Sequence, residues 1–126
     1  MVKHVYNGVL ISTGTATNKA LNAIVDTSVV LTADQALNQL TTIVSTGPMQ
    51  IGLPTATDIV TSQNAAVGDI FEMEYVVINA AFPTAIITNT GITLGYALVT
   101  LTTNGRKVSL FRVTAIGSSP AVTFYQ

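Results

Sequence analysis

The chain is predicted to be all-β, a single-domain β-sandwich or jelly-roll-like barrel with two short helical turns. Three observations carry that expectation. Apolar residues alternate or run in short β-branched blocks, as half-buried strands require. Gly, Pro and Asn fall between those blocks at Gly47-Pro48, Gly68-Asp69, Asn89-Thr90-Gly91, Asn104-Gly105 and Gly117-Ser118-Ser119-Pro120, where turns are expected. Only two helix-start signatures stand out, and each opens a segment too short to be an independent helix.

In chain order, strands are expected near Val5–Ser12, Thr41–Ser45, Met49–Leu53, Ile70–Asn79, Ala85–Asn89, Gly95–Thr102, Lys107–Ala115 and Ala121–Tyr125. The helical turns interrupt this series. Thr32 with Gln35 opens Ala33–Leu40, and Thr55 with Asp58, just after Pro54, opens Ala56–Thr61; each Thr hydroxyl can satisfy an otherwise orphaned backbone N–H. Between Gly14 and Asn22 the composition turns to Thr, Ala, Asn and Gly without clear periodicity. Residues 1–30 are therefore expected to form an N-terminal arm or peripheral hairpin, and residues 31–126 the compact β-domain.

A chain of 126 residues suits one domain with a real core. Its surface chemistry is unusual: 9% of residues are charged although 48% are hydrophobic, against roughly 25% charged in an ordinary soluble domain. Faces so poor in charge call for cover by copies of the chain or by a larger assembly. Five basic residues and a formal net charge of −1 give no electrostatic reason to expect nucleic acid. The absence of cysteine rules out disulfides and thiolate chemistry. The N-terminus, Met1 to Gly8, lacks the sustained apolar run of a secretory signal. From Val76 to Asn104 no residue is charged, but Asn79, Pro83, Asn89, Gly91 and Gly95 break the stretch, so a buried sheet is expected and not a membrane span.

The order of short motifs through the body resembles a small β-domain of virion proteins: Leu31-Thr32-Ala33-Asp34-Gln35, Leu53-Pro54-Thr55-Ala56, Val67-Gly68-Asp69-Ile70-Phe71, Val76-Val77-Ile78-Asn79, Phe111-Arg112-Val113 and Ala121-Val122-Thr123-Phe124-Tyr125. That family comprises capsid decoration, head-fibre and related structural proteins of bacteriophages and large DNA viruses. The resemblance covers Leu31 to Tyr125 and departs at the N-terminus and at Thr61–Ala66. It implies a non-enzymatic, capsid-associated component of the virion, made in the host cytoplasm, preferably a homotrimer, whose partners are its own copies and capsid subunits. A receptor- or glycan-binding fibre-tip module is the alternative.

Residues with chemical potential are few. Glu72 and Glu74 share one face of an expected strand. Such a pair would serve as the acid and nucleophile of a glycosidase or hold a hard cation, but a solvated strand face paired across the sheet with Arg106 or Arg112 is the expectation. His4 is the only histidine, so neither a multi-His metal site nor a catalytic triad can be assembled convincingly. Asp26, Asp34, Asp58 and Asp69 are scattered and spell no calcium loop; Asp58 and Asp69 suit a helix start and a turn. Arg106-Lys107, with Arg112 further along the strand, would suit a sulfated or phosphorylated glycan or an acidic capsid patch, against the plainer role of keeping a hairpin end soluble. Tyr75, Phe111, Phe124 and Tyr125 are expected in the core. Gly47, Gly52 and Gly68 lack the Lys-Ser or Lys-Thr of a phosphate loop. No catalytic, cofactor-binding or metal-binding residue is assigned.

Overall fold

In the computed structural model, residues 19–80, 84–102 and 104–126 are described. The expected strand at Val5–Ser12 and His4 lie outside them. Among the described residues the chain forms β1 (Ala20–Val25), β2 (Val29–Val30), α1 (Ala33–Asn38), β3 (Gln39–Ser45), β4 (Met49–Gly52), α2 (Ala56–Gln63), β5 (Ile70–Ala80), β6 (Thr84–Ile87), β7 (Ile92–Leu94), β8 (Gly105–Ala115) and β9 (Ala121–Tyr125). The protein is mostly β, with a mixed six-stranded sheet ordered β1-β3-β5-β8-β9-β7 and a three-stranded sheet ordered β2-β4-β6.

Both helices start where the sequence places them. Thr32 accepts from the Gln35 backbone N–H at 3.1 Å while the Gln35 side chain accepts from the Thr32 N–H at 3.0 Å, a reciprocal capping box. Thr55 accepts from the Asp58 N–H at 3.0 Å, and α2 ends on Asn64 in the left-handed conformation.

Three times the chain passes from the large sheet to the small one, as β1 to β2, β3 to β4 and β5 to β6, and each strand lies parallel to its counterpart in the next turn. The turns repeat in detail. Leu31 and Leu53 each leave a strand of the small sheet, each donates its N–H to the next strand at 2.8 Å, to Gly52 and Ile87 respectively, and each precedes a helix capped by Thr. Both leucines are buried. This winding is of solenoid type, in which each turn packs on its neighbours. The tail is different: β5, β8 and β9 form an antiparallel meander, and β7 joins β9 in parallel.

The strand assignment differs from the sequence reading in two places. Residues 20–30, within the segment expected as an arm or peripheral hairpin, supply edge strands to both sheets by parallel pairing with β3 and β4. Of the expected strand Gly95–Thr102, only Leu101 pairs, in an isolated bridge to Thr84; the ladder instead runs through β7, just before it.

Alternation within the large sheet sets one face into the core. Phe71, Met73, Tyr75 and Val77 of β5 point inward with Ile43 of β3, Phe111 and Val113 of β8, and Val122 and Phe124 of β9. Phe111 and Phe124 pack at a ring separation of 4.8 Å. The small sheet adds Met49, Ile51 and Ile86, and the helices add Ala33, Ala36, Leu37, Ala56 and Ile59. The opposite face of the large sheet is left without a covering layer among the described residues.

Candidate functional site

That uncovered face is the candidate site. Strand alternation places Leu21, Ala23 and Val25 of β1 beside Leu40, Thr42 and Val44 of β3. On β5 the face carries Glu72, Glu74, Val76 and Ile78; in register on β8 stand Leu110 opposite Glu72, Val108 opposite Glu74 and Arg106 opposite Val76. Thr123 and Tyr125 of β9 continue it opposite Arg112 and Leu110. Part of its apolar surface stands in solvent, Leu21 at 64% exposure, Val25 at 56%, Ile78 at 54% and Val108 at 38%, while Leu40, Val44, Val76 and Leu110 are half-buried. A contiguous apolar sheet face with a few charges is the composition of an interaction surface.

The far end of the face is aromatic. Tyr125 is half-buried and lies against Tyr96, edge to face, with ring centroids 5.8 Å apart. Gly95 makes room for it: a Cβ there would meet the Tyr125 ring at 2.3 Å. This corrects the expectation that Tyr125 packs in the core, since its neighbour Phe124 takes the inward position and period two sends Tyr125 outward. Tyr96, 69% exposed, is a member of the face that sequence reasoning missed. The signal in the sequence is the Gly95-Tyr96 dipeptide, a glycine beside an aromatic at the end of a strand.

Glu72 and Glu74 sit in the middle of this face. The Arg106 guanidinium donates to Glu74 through Nε at 3.1 Å, so that of the two cross-strand partners expected from the sequence, Arg106 or Arg112, Arg106 holds Glu74. That hydrogen bond, and then the charge behind it, raises the Arg106 pKa further above its already high ordinary value. Arg106 and Lys107 do not form one basic patch on β8, because successive side chains point to opposite faces. Arg106 joins the outer face, and Lys107, in register with Tyr75, lies on the core side. Both border a cleft of about 580 Å³ formed with Tyr75, residues 99–102 and Gln126. Arg112 is exposed on the outer face.

Inside that cleft Tyr75 is buried and shares a 3.1 Å hydrogen bond with Ser109. Burial pushes its hydroxyl pKa up, and hydrogen bonds to Ser109 and Gln126 offset part of the shift. Of the aspartates, Asp34 accepts from the side chains of Asn38 and Gln39 at 2.9 and 3.0 Å. Asp69 accepts from the Ala66 N–H at 3.0 Å in the turn before β5. Asp26, at φ 50°, accepts from both the hydroxyl and the N–H of Thr46, and the hydroxyl bond first and the N–H second hold its carboxyl below the ordinary range. Each of these carboxylates has a local structural partner. Among the described residues no three His, Cys, Asp or Glu side chains group to hold a metal ion, and no helix is long and apolar enough to cross a membrane.

The expected turns Asn89–Gly91 and Gly117–Pro120 come together: a Cβ on Gly91 would stand 2.9 Å from the Pro120 carbonyl oxygen. No family model matches the chain, and neither a curated protein nor a solved structure matches it significantly.

Proposed function

We propose that the protein is a non-enzymatic structural component of a virion, a decoration, cement or minor capsid protein that acts through self-association and capsid binding. The observation that carries this reading is the apolar outer face of the six-stranded sheet, solvent-exposed in a chain with 9% charged residues. A monomer with that surface gains by covering it. The order of motifs from Leu31 to Tyr125 supports a place among the virion β-domains and a trimer, while the face itself asks for only one further copy. Within this proposal the fold is a β-sandwich variant in which the two sheets and two helices enclose one core. In a particle, contacts that are weak singly are repeated many times, so a modest face suffices.

Light scattering coupled to size exclusion across a wide concentration range tests the self-association. A mass that is an integer multiple of the monomer is expected; a monomer at every concentration overturns the reading. The second reading, a fibre-tip module, draws on the meeting of loops 89–91 and 117–120 at one place. Substitutions there, such as Thr90→Glu or Ser119→Glu, would abolish host attachment and leave assembly intact under that reading.

A further inference from the structure

We propose that the outer face of the six-stranded sheet meets the same face of a second copy about a two-fold axis running along the strands between β5 and β8. This rests on the self-association reading and names its surface, with two copies in place of the trimer that the motif order implies.

The chemistry of the face points to a copy of itself. Its charges form two adjacent stripes of opposite sign, Glu72 and Glu74 on β5 and Arg106 and Arg112 on β8. An acidic partner would be repelled by the first stripe and a basic partner by the second. A second copy satisfies both, provided that β5 lies over β8 of its mate. Of the two-fold axes lying between two stacked sheets, one parallel to the strands and midway between β5 and β8 does this; one perpendicular to the strands sets β5 over β5 and like charges together.

The flanks of the face carry a second, independent complementarity. To one side of the axis are the aliphatic side chains of β1 and β3, Leu21, Val25, Leu40 and Val44; to the other are Tyr125 and Tyr96. The same rotation lays the aliphatic flank of one copy over the aromatic flank of the other. Sheets stack in this near-aligned way at about 10 Å separation inside single domains. The area is adequate but not large. Five strands spaced ~4.8 Å apart and β5 and β8 rising ~3.3 Å per residue give several hundred Å² per copy, below the ~800 Å² per partner of a standard stable interface. The contact is therefore concentration-dependent and isologous, closing at two copies.

Charge-swap complementation tests this. An acidic-face variant, Arg106→Glu with Arg112→Glu, and a basic-face variant, Glu72→Arg with Glu74→Arg, are compared with the wild type by light scattering, after circular dichroism and melting confirm that each folds. Each variant alone is expected to lose roughly tenfold or more in self-association, and an equimolar mixture to regain it, because repulsive pairs become attractive ones only between unlike chains. If the wild type associates while either variant alone keeps its mass, or the mixture does not recover, the face is not the contact and only this inference falls. If the wild type is monomeric throughout, self-association falls and the inference with it. Should a charge variant not fold, the cysteine-free chain offers a second measurement. Val108→Cys is expected to crosslink two copies with a short bismaleimide and Ser118→Cys is not; equal yields at both positions overturn the inference.

Discussion

Gly91 is where a single added methyl group is expected to do most damage, and the structure supplies its own control. Gly91 has φ 80° and lies between α2 and the approach to β9. A Cβ there would fall 2.6 Å from the Ala56 Cβ and 2.9 Å from the Pro120 carbonyl oxygen, and neither can move without carrying backbone with it. The surrounding hydrogen bonds, Ala56 N–H to Thr90 and Val122 N–H to Gly91, both 3.0 Å, fix the segment on two sides. Gly117 has φ 93° and nothing within 4 Å of a Cβ. Both Gly→Ala changes force an L-residue into the left-handed region, at ~1–2 kcal/mol. Only Gly91→Ala adds the overpacking cost of ~1–3 kcal/mol. Urea denaturation is therefore expected to show Gly117→Ala destabilised by about 1–2 kcal/mol and Gly91→Ala by about 2–5 kcal/mol. Equal losses in the two variants would refute the placement of Gly91 against Ala56 and Pro120.

Further outcomes are expected elsewhere. Tyr75→Phe strands the buried Ser109 hydroxyl and is expected to cost about 1–3 kcal/mol by denaturant titration, with Tyr75→Phe/Ser109→Ala recovering part of it. Because the Tyr75 pKa is raised on folding, its hydroxyl contributes stability that is fully present below the unfolded value of 10.0 and lost as pH climbs through the folded one, so the wild type's advantage over Tyr75→Phe should shrink in melts above about pH 10. Asp26 shows the opposite sign: its lowered native pKa contributes stability present above the unfolded 3.8 and lost as pH falls through the native value. Melting curves between pH 2 and 6 are expected to show the wild type's advantage over Asp26→Asn vanishing at the acid end. Thr32→Ala removes the α1 capping box and is expected to lower stability by about 1 kcal/mol, with the Ser variant retaining it.

What the sequence determined by itself is local. The β-rich class, the Thr32 and Thr55 caps, the long strands β5 and β8, the inward Phe111 and Phe124, and the shared face of Glu72 and Glu74 all follow from period two and capping chemistry within a few residues of each position. Tertiary structure alone decided the parallel winding of β1 to β6, because alternation looks the same whether a neighbouring strand runs parallel or antiparallel. It also decided the recruitment of residues 20–30 into the sheets, since short edge strands are specified by the strands they join. The candidate face belongs to the same category. Leu21, Val76, Val108 and Tyr125 are far apart in sequence, and each reads singly as an ordinary strand residue. Only register across five strands sets them on one surface, and among the described residues the helices and the small sheet cover only the opposite side.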